Sequence, residues 1–419
     1  MKYTFGKRIK RDVLREHIVS LSFLDLAWAA CLSAFFVVCI ELFYRMIVNY
    51  NHKYPSDFYF YAVTNVQNNT EHNRLVCVVY QALYDINQSN IEITIFSAFV
   101  IVLIILANYG TIRFFVDNDG YHDRIPRYAI EIASVAALFM GPIYVPFIYE
   151  RYYKHTFKSF AWHSPTQQLM TFFALVASIC FIKMFLEYEK GKLSARWWIA
   201  TALMLFLATY SKPSFTINYA IAITILFLIE LFSKGKEDFL RRFGQLFIMG
   251  CTLIPSGIYM ILLHNSEFTE GTQFGEEHAV LIDFSHVIEY SNLFRTIVFC
   301  LAIPIVVFAF NSERFKDVKY RYALLVFLMG MLQWAMFTET GKRGNYGNFI
   351  WGRTYGIYYI NLVAAVVAME IFFDKNGKFS DNKKLRAVYL FLIAAIMVAS
   401  IVSQLNYFRL LLTGHGYQL

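Results

Sequence analysis

The sequence predicts an all-α protein that crosses a membrane many times, and three observations lead to this prediction. The first is composition: 58% of the 419 residues are hydrophobic and 16% are charged, whereas soluble domains average about 25% charged residues. The second is the recurrence of apolar stretches of about 20 residues, the length that crosses a bilayer as a helix. The third is a one-sided distribution of Lys and Arg. We expect residues 1–419 to form a single integral membrane domain.

Eleven apolar stretches are predicted to be transmembrane helices. They are 22–49, 93–112, 128–149, 167–187, 196–210, 215–233, 243–263, 293–310, 321–338, 351–373 and 386–411. Only Ser211-Lys212-Pro213-Ser214 separates the fifth stretch from the sixth. The first stretch is longer than the apolar core of a signal peptide and lacks a clear small-residue cleavage site, so we expect it to be retained as a span.

The basic residues predict that the N-terminus lies in the cytoplasm. With that orientation the inner segments hold 25 of the 38 Lys and Arg. These segments are the N-terminal tail, 113–127, 190–196, 234–242, 314–321 and 375–386. The outer loop 264–292 contains neither Lys nor Arg, as the positive-inside rule requires. The C-terminus then lies outside, and the outer loops are about 50–92, 150–166, 211–214, 264–292 and 339–350.

Two classes of function are not indicated. The net charge of +8 does not point to nucleic acid, because the basic residues are spread over short loops and form no continuous patch. Nucleotide use is not inferred either, because neither a P-loop nor a GxGxxG motif is present. Of the six cysteines, five lie in apolar stretches and only Cys77 lies in an outer loop, so we expect no disulfide.

Polar residues at the outer ends of the spans are the candidates for function. Asp57 follows Pro55-Ser56 in the first outer loop and is flanked by aromatic residues. A carboxylate there could act as a general base toward a sugar hydroxyl. The simpler interpretation is that the segment caps a loop helix.

The second outer loop contains Arg151 and ends Trp162-His163-Ser164-Pro165 before the fourth span. Ser164 and Pro165 suit the start of that helix, which leaves Trp162 and His163 without a structural explanation. His163 could hydrogen-bond a phosphate or a sugar hydroxyl, or it could be a solvated histidine at the interface.

Lys212 lies between two spans on the outer side, against the charge trend, and Pro213 would start the next helix. A cation at a helix N-terminus favours an anion. The alternative is a lysine whose ammonium reaches the membrane surface.

The fifth outer loop combines Glu339, Lys342, Arg343, Trp351 and Arg353 with four glycines. The glycines allow a ligand to approach the backbone, and the arginines could bind a phosphate bidentately. Trp351 offers an apolar face for a sugar ring. Glu339 could orient Arg343 or replace Asp57 as the base. The alternative interpretation is a flexible turn with interface anchors.

Several of these segments resemble a known family. They are Tyr54-Pro55-Ser56-Asp57, Trp162-His163-Ser164-Pro165-Thr166, Ser211-Lys212-Pro213-Ser214-Phe215, Gly347-Asn348-Phe349-Ile350-Trp351-Gly352 after Glu339, and Tyr407-Phe408 leading to Leu412 and Gly414. In order and outer placement they resemble the Wzy-like polysaccharide polymerases and related membrane glycosyltransferases, with GT-C-type architecture, of Gram-positive capsule and exopolysaccharide pathways.

The resemblance implies a multi-pass protein of the bacterial plasma membrane that joins polyprenyl-diphosphate-linked (undecaprenyl-type) repeat units into an extracellular or capsular polysaccharide. It implies inverting transfer, with Asp57 near the acceptor and with Lys212, Arg343 and Arg353 on the phosphate. Its expected partners are the lipid-linked donor, the glycan acceptor, the bilayer and other polysaccharide export proteins. No second carboxylate lies close to Asp57, so neither a metal nor a cofactor is expected.

Three alternatives stay open. The enzyme could transfer a single sugar from a polyprenyl monophosphate donor. The chain could instead be a transporter or flippase for a lipid-linked sugar, although it shows no internal repeat and few charges in mid-span apart from Glu131. A polysaccharide acyltransferase is a third possibility, for which His163 is the only support.

Overall fold

A computed structural model describes residues 23–49, 56–66, 74–145, 162–233, 238–268, 280–284, 293–339, 349–374 and 383–414. The described part of the chain is almost entirely helical, which confirms the predicted all-α class. Arg343, Lys342 and Arg151 lie outside the described residues.

The elements are named in chain order. They are α1 (Phe23–Ile47), a π-helical turn (Phe60–Asn65), α2 (Leu75–Asn87), α3 (Ile91–Asn118), α4 (Arg127–Ala136), a 3-10 turn (Ala137–Phe139), α5 (Pro165–Glu189), α6 (Ala195–Ser211), α7 (Ser214–Ser233), α8 (Phe239–Gly250), a 3-10 turn (Cys251–Leu253), α9 (Ile254–Phe268), β1 (Val280–Ile282), α10 (Leu293–Cys300), α11 (Ala302–Ala309), a 3-10 turn (Ser312–Lys316), α12 (Val318–Met336), β2 (Phe337–Glu339), α13 (Ile350–Phe373) and α14 (Lys383–Leu412).

Seven helical segments within the described ranges are long and apolar enough to cross a membrane. They are Phe23–Ile47, Ile91–Asn118, Pro165–Glu189, Ser214–Ser233, Phe239–Leu263, Ile350–Phe373 and Lys383–Leu412. The chain is thus consistent with a polytopic membrane protein. The count of eleven spans and the inside–outside orientation stay predictions.

The predicted span 128–149 is not one continuous helix. Helix α4 and its 3-10 turn end at Phe139, ahead of Gly141-Pro142. The extended backbone that follows is satisfied by α14: the Ser400 hydroxyl donates to the Gly141 carbonyl at 2.8 Å, and the Gln404 amide donates to the Pro142 carbonyl at 3.0 Å. Irregular backbone at membrane depth is tolerated where protein side chains satisfy it in this way.

The predicted span 293–310 is also interrupted. Helix α10 ends at Cys300 and α11 begins at Ala302, with Pro304 in its first turn. Proline lacks a backbone N–H and is accommodated best in a first helical turn, so its position favours a break just before it.

Helix α13 lies at the centre of the bundle, packed by α3, α7, α11 and α12. Two glycines allow α12 and α13 to approach closely. A Cβ at Gly330 would lie 2.6 Å from the Gly352 carbonyl oxygen, and a Cβ at Gly356 would lie 2.9 Å from Cα of Phe327. No larger residue fits at either position without a shift of backbone.

Buried ions hold the end of the bundle where α3 and α13 finish and α12 begins. Arg314 Nη2 lies 2.7 Å from Glu370 Oε2, and Arg314 Nη1 lies 3.3 Å from Asp119. Lys319 Nζ lies 2.7 Å from the same aspartate. Burial alone would lower the pKa of Arg314, but the carboxylates of Glu370 and Asp119 raise this pKa above its ordinary value. The guanidinium is therefore charged at every accessible pH.

Candidate functional site

Segments that are far apart in sequence meet at Trp351, in the first turn of α13. The indole is 5% exposed and is contacted by side chains that precede α5 and α7. The structure therefore brings four sequence-predicted residues into one cluster: Asp57, His163, Lys212 and Trp351. We call these four residues the outer cluster, after their predicted side of the membrane.

Asp57 and His163 form the first contact of the outer cluster. The Asp57 Oδ1 lies 3.7 Å from His163 Nε2, and the backbone N–H of Asp57 donates to the His163 carbonyl at 2.8 Å. The next residue, Phe58, is fully buried against Phe43 of α1, with ring centroids 4.6 Å apart. The backbone is thus fixed on both sides, while 39% of the Asp57 side chain is exposed and accessible to a ligand.

Trp351 holds the two basic side chains. The imidazole of His163 stacks on the indole with centroids 5.3 Å apart and planes inclined by 24°. The ammonium of Lys212 lies 4.3 Å from the indole centroid, within cation–π range. Lys212 is 5% exposed, so its ammonium does not extend into solvent as a snorkelling lysine would. The role of Trp351 as a sugar platform stays a prediction.

Three helix N-termini converge on the outer cluster. His163 lies two residues before α5, Lys212 lies two residues before α7, and Trp351 belongs to the first turn of α13. Pro165 starts α5 as predicted; Ser164 precedes it, but its hydroxyl bonds Thr166 at 2.9 Å instead of capping the helix. Free N–H groups and the positive ends of helix dipoles favour an anion here.

Arg353 adds a further cation one residue beyond Gly352. Its guanidinium carbon lies 4.5 Å from the ring centroid of Trp334 near the end of α12, and the residue is 4% exposed. Arg353 and Lys212 are thus two buried cations, each seated on an indole, at the start of adjacent helices α13 and α7.

Trp162 has a different environment from the other predicted residues. Its ring is fully buried and packs on Phe408, Phe139 and Phe35 with centroids 4.7, 5.9 and 6.5 Å away. The indole joins α1, α14 and the 3-10 turn after α4. This packing fixes the position of the neighbouring His163.

Two residues that our sequence analysis missed lie one helical turn deeper. Asn218 of α7 and Gln333 of α12 are 0% and 2% exposed, and both approach Gly352. A Cβ at Gly352 would lie 2.0 Å from Gln333 Oε1 and 2.8 Å from Asn218 Nδ2. The sequence carries one signal for these two residues, which is that an amide side chain inside an apolar span is unusual.

Glu339, the alternative base, lies in β2, which pairs antiparallel with β1 so that Glu339 faces Val280. This strand pair joins residues 280–282, within the predicted outer loop 264–292, to the segment that follows α12. The other predicted cations of the fifth loop, Lys342 and Arg343, lie outside the described residues.

Within the described ranges, His, Cys, Asp and Glu side chains form no group of three that could hold a metal ion. The chain matches no protein-family model and no curated protein sequence.

Proposed function

We propose that the chain is a membrane glycosyltransferase that uses a lipid-linked sugar donor. The observation that carries the proposal is the meeting of His163 and the buried cation Lys212 on the Trp351 ring, with the exposed carboxylate of Asp57 beside His163 and the buried cation Arg353 on the neighbouring Trp334. Transfer of a sugar from a lipid phosphate needs a base for the acceptor and positive charge for the leaving group. Both kinds of group are present here.

Asp57 is the proposed base. The acceptor hydroxyl attacks the anomeric carbon of the donor sugar and forms a new carbon–oxygen bond, while the bond from that carbon to the lipid phosphate oxygen breaks. The hydroxyl proton passes to the Asp57 carboxylate. His163 positions Asp57 through its backbone carbonyl, which accepts from the Asp57 N–H at 2.8 Å, and its imidazole, 3.7 Å from the carboxylate, can hydrogen-bond the acceptor.

Lys212 and Arg353 are the proposed leaving-group site. The departing lipid phosphate gains negative charge as the bond breaks, and buried cations stabilise such charge more than exposed ones do. The N-termini of α5, α7 and α13 add partial positive charge at the same place.

An apolar groove supplies a path for the lipid tail. It has a volume of about 410 Å³ and lies between α7 and α8–α9, with Phe227, Leu231, Phe247 and Ile254 among its lining residues. Helix α7 begins at the outer cluster, and at 1.5 Å per residue the groove starts about 15 Å from Ser214. A long prenyl chain spans that distance.

The expected form of the reaction is polymerisation of lipid-linked repeat units. To test it, protein in nanodiscs is given polyprenyl-diphosphate repeat units, and products are separated by gel. A ladder of lengths that is lost in Asp57→Asn but kept in Asp85→Asn, an exposed aspartate of α2, supports the proposal. Single additions from polyprenyl-monophosphate sugars identify the single-sugar form. Absence of transfer from both donor classes by folded protein contradicts it.

One observation favours a transporter as the second candidate. The broken α4 segment touches the broken α10–α11 segment, since the backbone N–H of Ile143 donates to the Phe299 carbonyl at 3.3 Å. Paired discontinuous helices are common in transporters. Movement of a fluorescent lipid-linked sugar across proteoliposomes, without any transfer of the sugar, would establish this function.

A further inference from the structure

Two buried amides beneath the outer cluster lack hydrogen-bond partners. We propose that Asn218 and Gln333 bind hydroxyl groups of the sugar on the lipid donor, and so determine which sugar is accepted. The inference rests on the proposed function, because it names the part of the site that recognises the sugar.

The isolation of these amides is the main observation. Both polar atoms of each side chain are without a hydrogen-bond partner among the described residues, although Asn218 is 0% and Gln333 2% exposed. A buried polar group left unsatisfied costs about 1–3 kcal/mol. Two complete amides on adjacent helices α7 and α12 are therefore expected to have partners that the described residues do not supply.

Contact with Gly352 brings the two amides next to the proposed phosphate site. Both side chains crowd the position of its missing Cβ, and its neighbours are Trp351 and Arg353. The amides consequently lie at the same end of α13 as the proposed phosphate site, one helical turn further inward along α7 and α12. A donor whose phosphate lies on Lys212 and Arg353 would place its sugar within their reach.

The chemistry of an amide selects a hydroxyl over an anion. Each amide presents a donor and an acceptor, and a sugar hydroxyl also presents both, so two hydroxyls can satisfy all the unpaired atoms. A phosphate oxygen only accepts and would leave both amide oxygens unsatisfied. The structure thus separates charge recognition, by Lys212 and Arg353, from hydroxyl recognition, by Asn218 and Gln333.

The test compares donors with and without a sugar. Binding to protein in nanodiscs is measured by calorimetry for bare farnesyl phosphate and for farnesyl phosphate carrying glucose, galactose, mannose, rhamnose or N-acetylglucosamine. The sugar gain is the ratio of the Kd for the bare probe to the Kd for the tightest glycosylated probe. We expect a gain of about tenfold or more in the native protein, since several hydrogen bonds of about 1 kcal/mol each are added.

Variants that remove the amide groups of Asn218 and Gln333 are expected to abolish the sugar gain and nothing else. Asn218→Leu and Gln333→Met keep size while removing the polar atoms, so they should lower the gain to about 1 and leave the Kd for bare farnesyl phosphate within about twofold. Gly352→Ala should act similarly, because its Cβ displaces both amides. Gln404→Met is the matched control: it removes a buried amide that bonds Pro142 and should leave the gain unchanged.

The outcomes separate the two proposals. A gain that persists in both amide variants, or a native protein that binds no glycosylated probe better than the bare one, overturns the inference and leaves the amides with water only. Unchanged binding of bare farnesyl phosphate in Lys212→Met contradicts the proposed phosphate site instead, and the dependence of the gain on the amides can still be measured.

Discussion

The imidazole of His163 and the indole of Trp351 stack with ring centroids 5.3 Å apart. This contact joins the segment before α5 to the first turn of α13, and the same histidine faces Asp57 at 3.7 Å. A carboxylate is thereby placed beside the ring that holds Lys212.

The His163–Asp57 contact is expected to matter for activity more than for stability. His163→Phe keeps an aromatic ring on Trp351 but removes the nitrogen that faces Asp57, so transfer should fall by about tenfold or more while the unfolding temperature changes little. His163→Ala should lower both, since the ring contact is lost as well. Transfer by His163→Phe at the native rate would show that only the ring is needed.

Trp351 is expected to act through Lys212. Trp351→Leu removes the face beneath the ammonium, which is worth about 0.5–2 kcal/mol, so binding of farnesyl phosphate should weaken by about 2- to 30-fold. Trp351→Phe retains a ring and should lose less. Equal binding by the native and Leu proteins in calorimetry would contradict this role.

Glycine packing between α12 and α13 is predicted to be essential. Gly330→Ala would force a Cβ to 2.6 Å from the Gly352 carbonyl oxygen, and the required shift should destabilise the protein by about 1–3 kcal/mol. The control is Gly244→Ala in α8, where an added Cβ would meet no atom from outside its own stretch of helix within 4 Å. This control should be neutral or stabilising by up to about 1 kcal/mol. Thermal unfolding in detergent measures both variants, and equal effects would refute the packing argument.

The ion cluster at the opposite end should show strong coupling. Arg314→Gln leaves Glu370, which is 1% exposed, without its nearest cation, and losing one partner of a buried ion pair costs about 3–5 kcal/mol. Glu370→Gln should restore part of this loss in the double variant. Additive effects in the double-mutant cycle would show that the two side chains are not coupled.

The sequence predicts the members of the outer cluster one by one, from their chemistry. Asp57, His163 and Lys212 were identified because each was polar beside an apolar span, and positive-inside reasoning marked Lys212 as an exception. Their convergence on Trp351 required the tertiary structure, since contacts between helix ends are not encoded in hydropathy.

The residues missed lie within helices or in the predicted inner loops. Asn218 and Gln333 are single amides in apolar runs, and only their shared approach to Gly352 distinguishes them. Arg314 fitted the positive-inside pattern, so its pairing with Glu370 carried no separate signal. The break after Phe139 could have been predicted from Gly141-Pro142, both of which oppose a continuous helix.

The most direct test of the proposed site measures donor binding and transfer on the same preparations of native protein, Asp57→Asn and Lys212→Met. We expect Asp57→Asn to bind the lipid-linked donor normally but to transfer the sugar about 10²-fold more slowly, and we expect Lys212→Met to bind the donor more weakly. Native transfer by Asp57→Asn, in protein that unfolds at the native temperature, would contradict the assignment of the catalytic base.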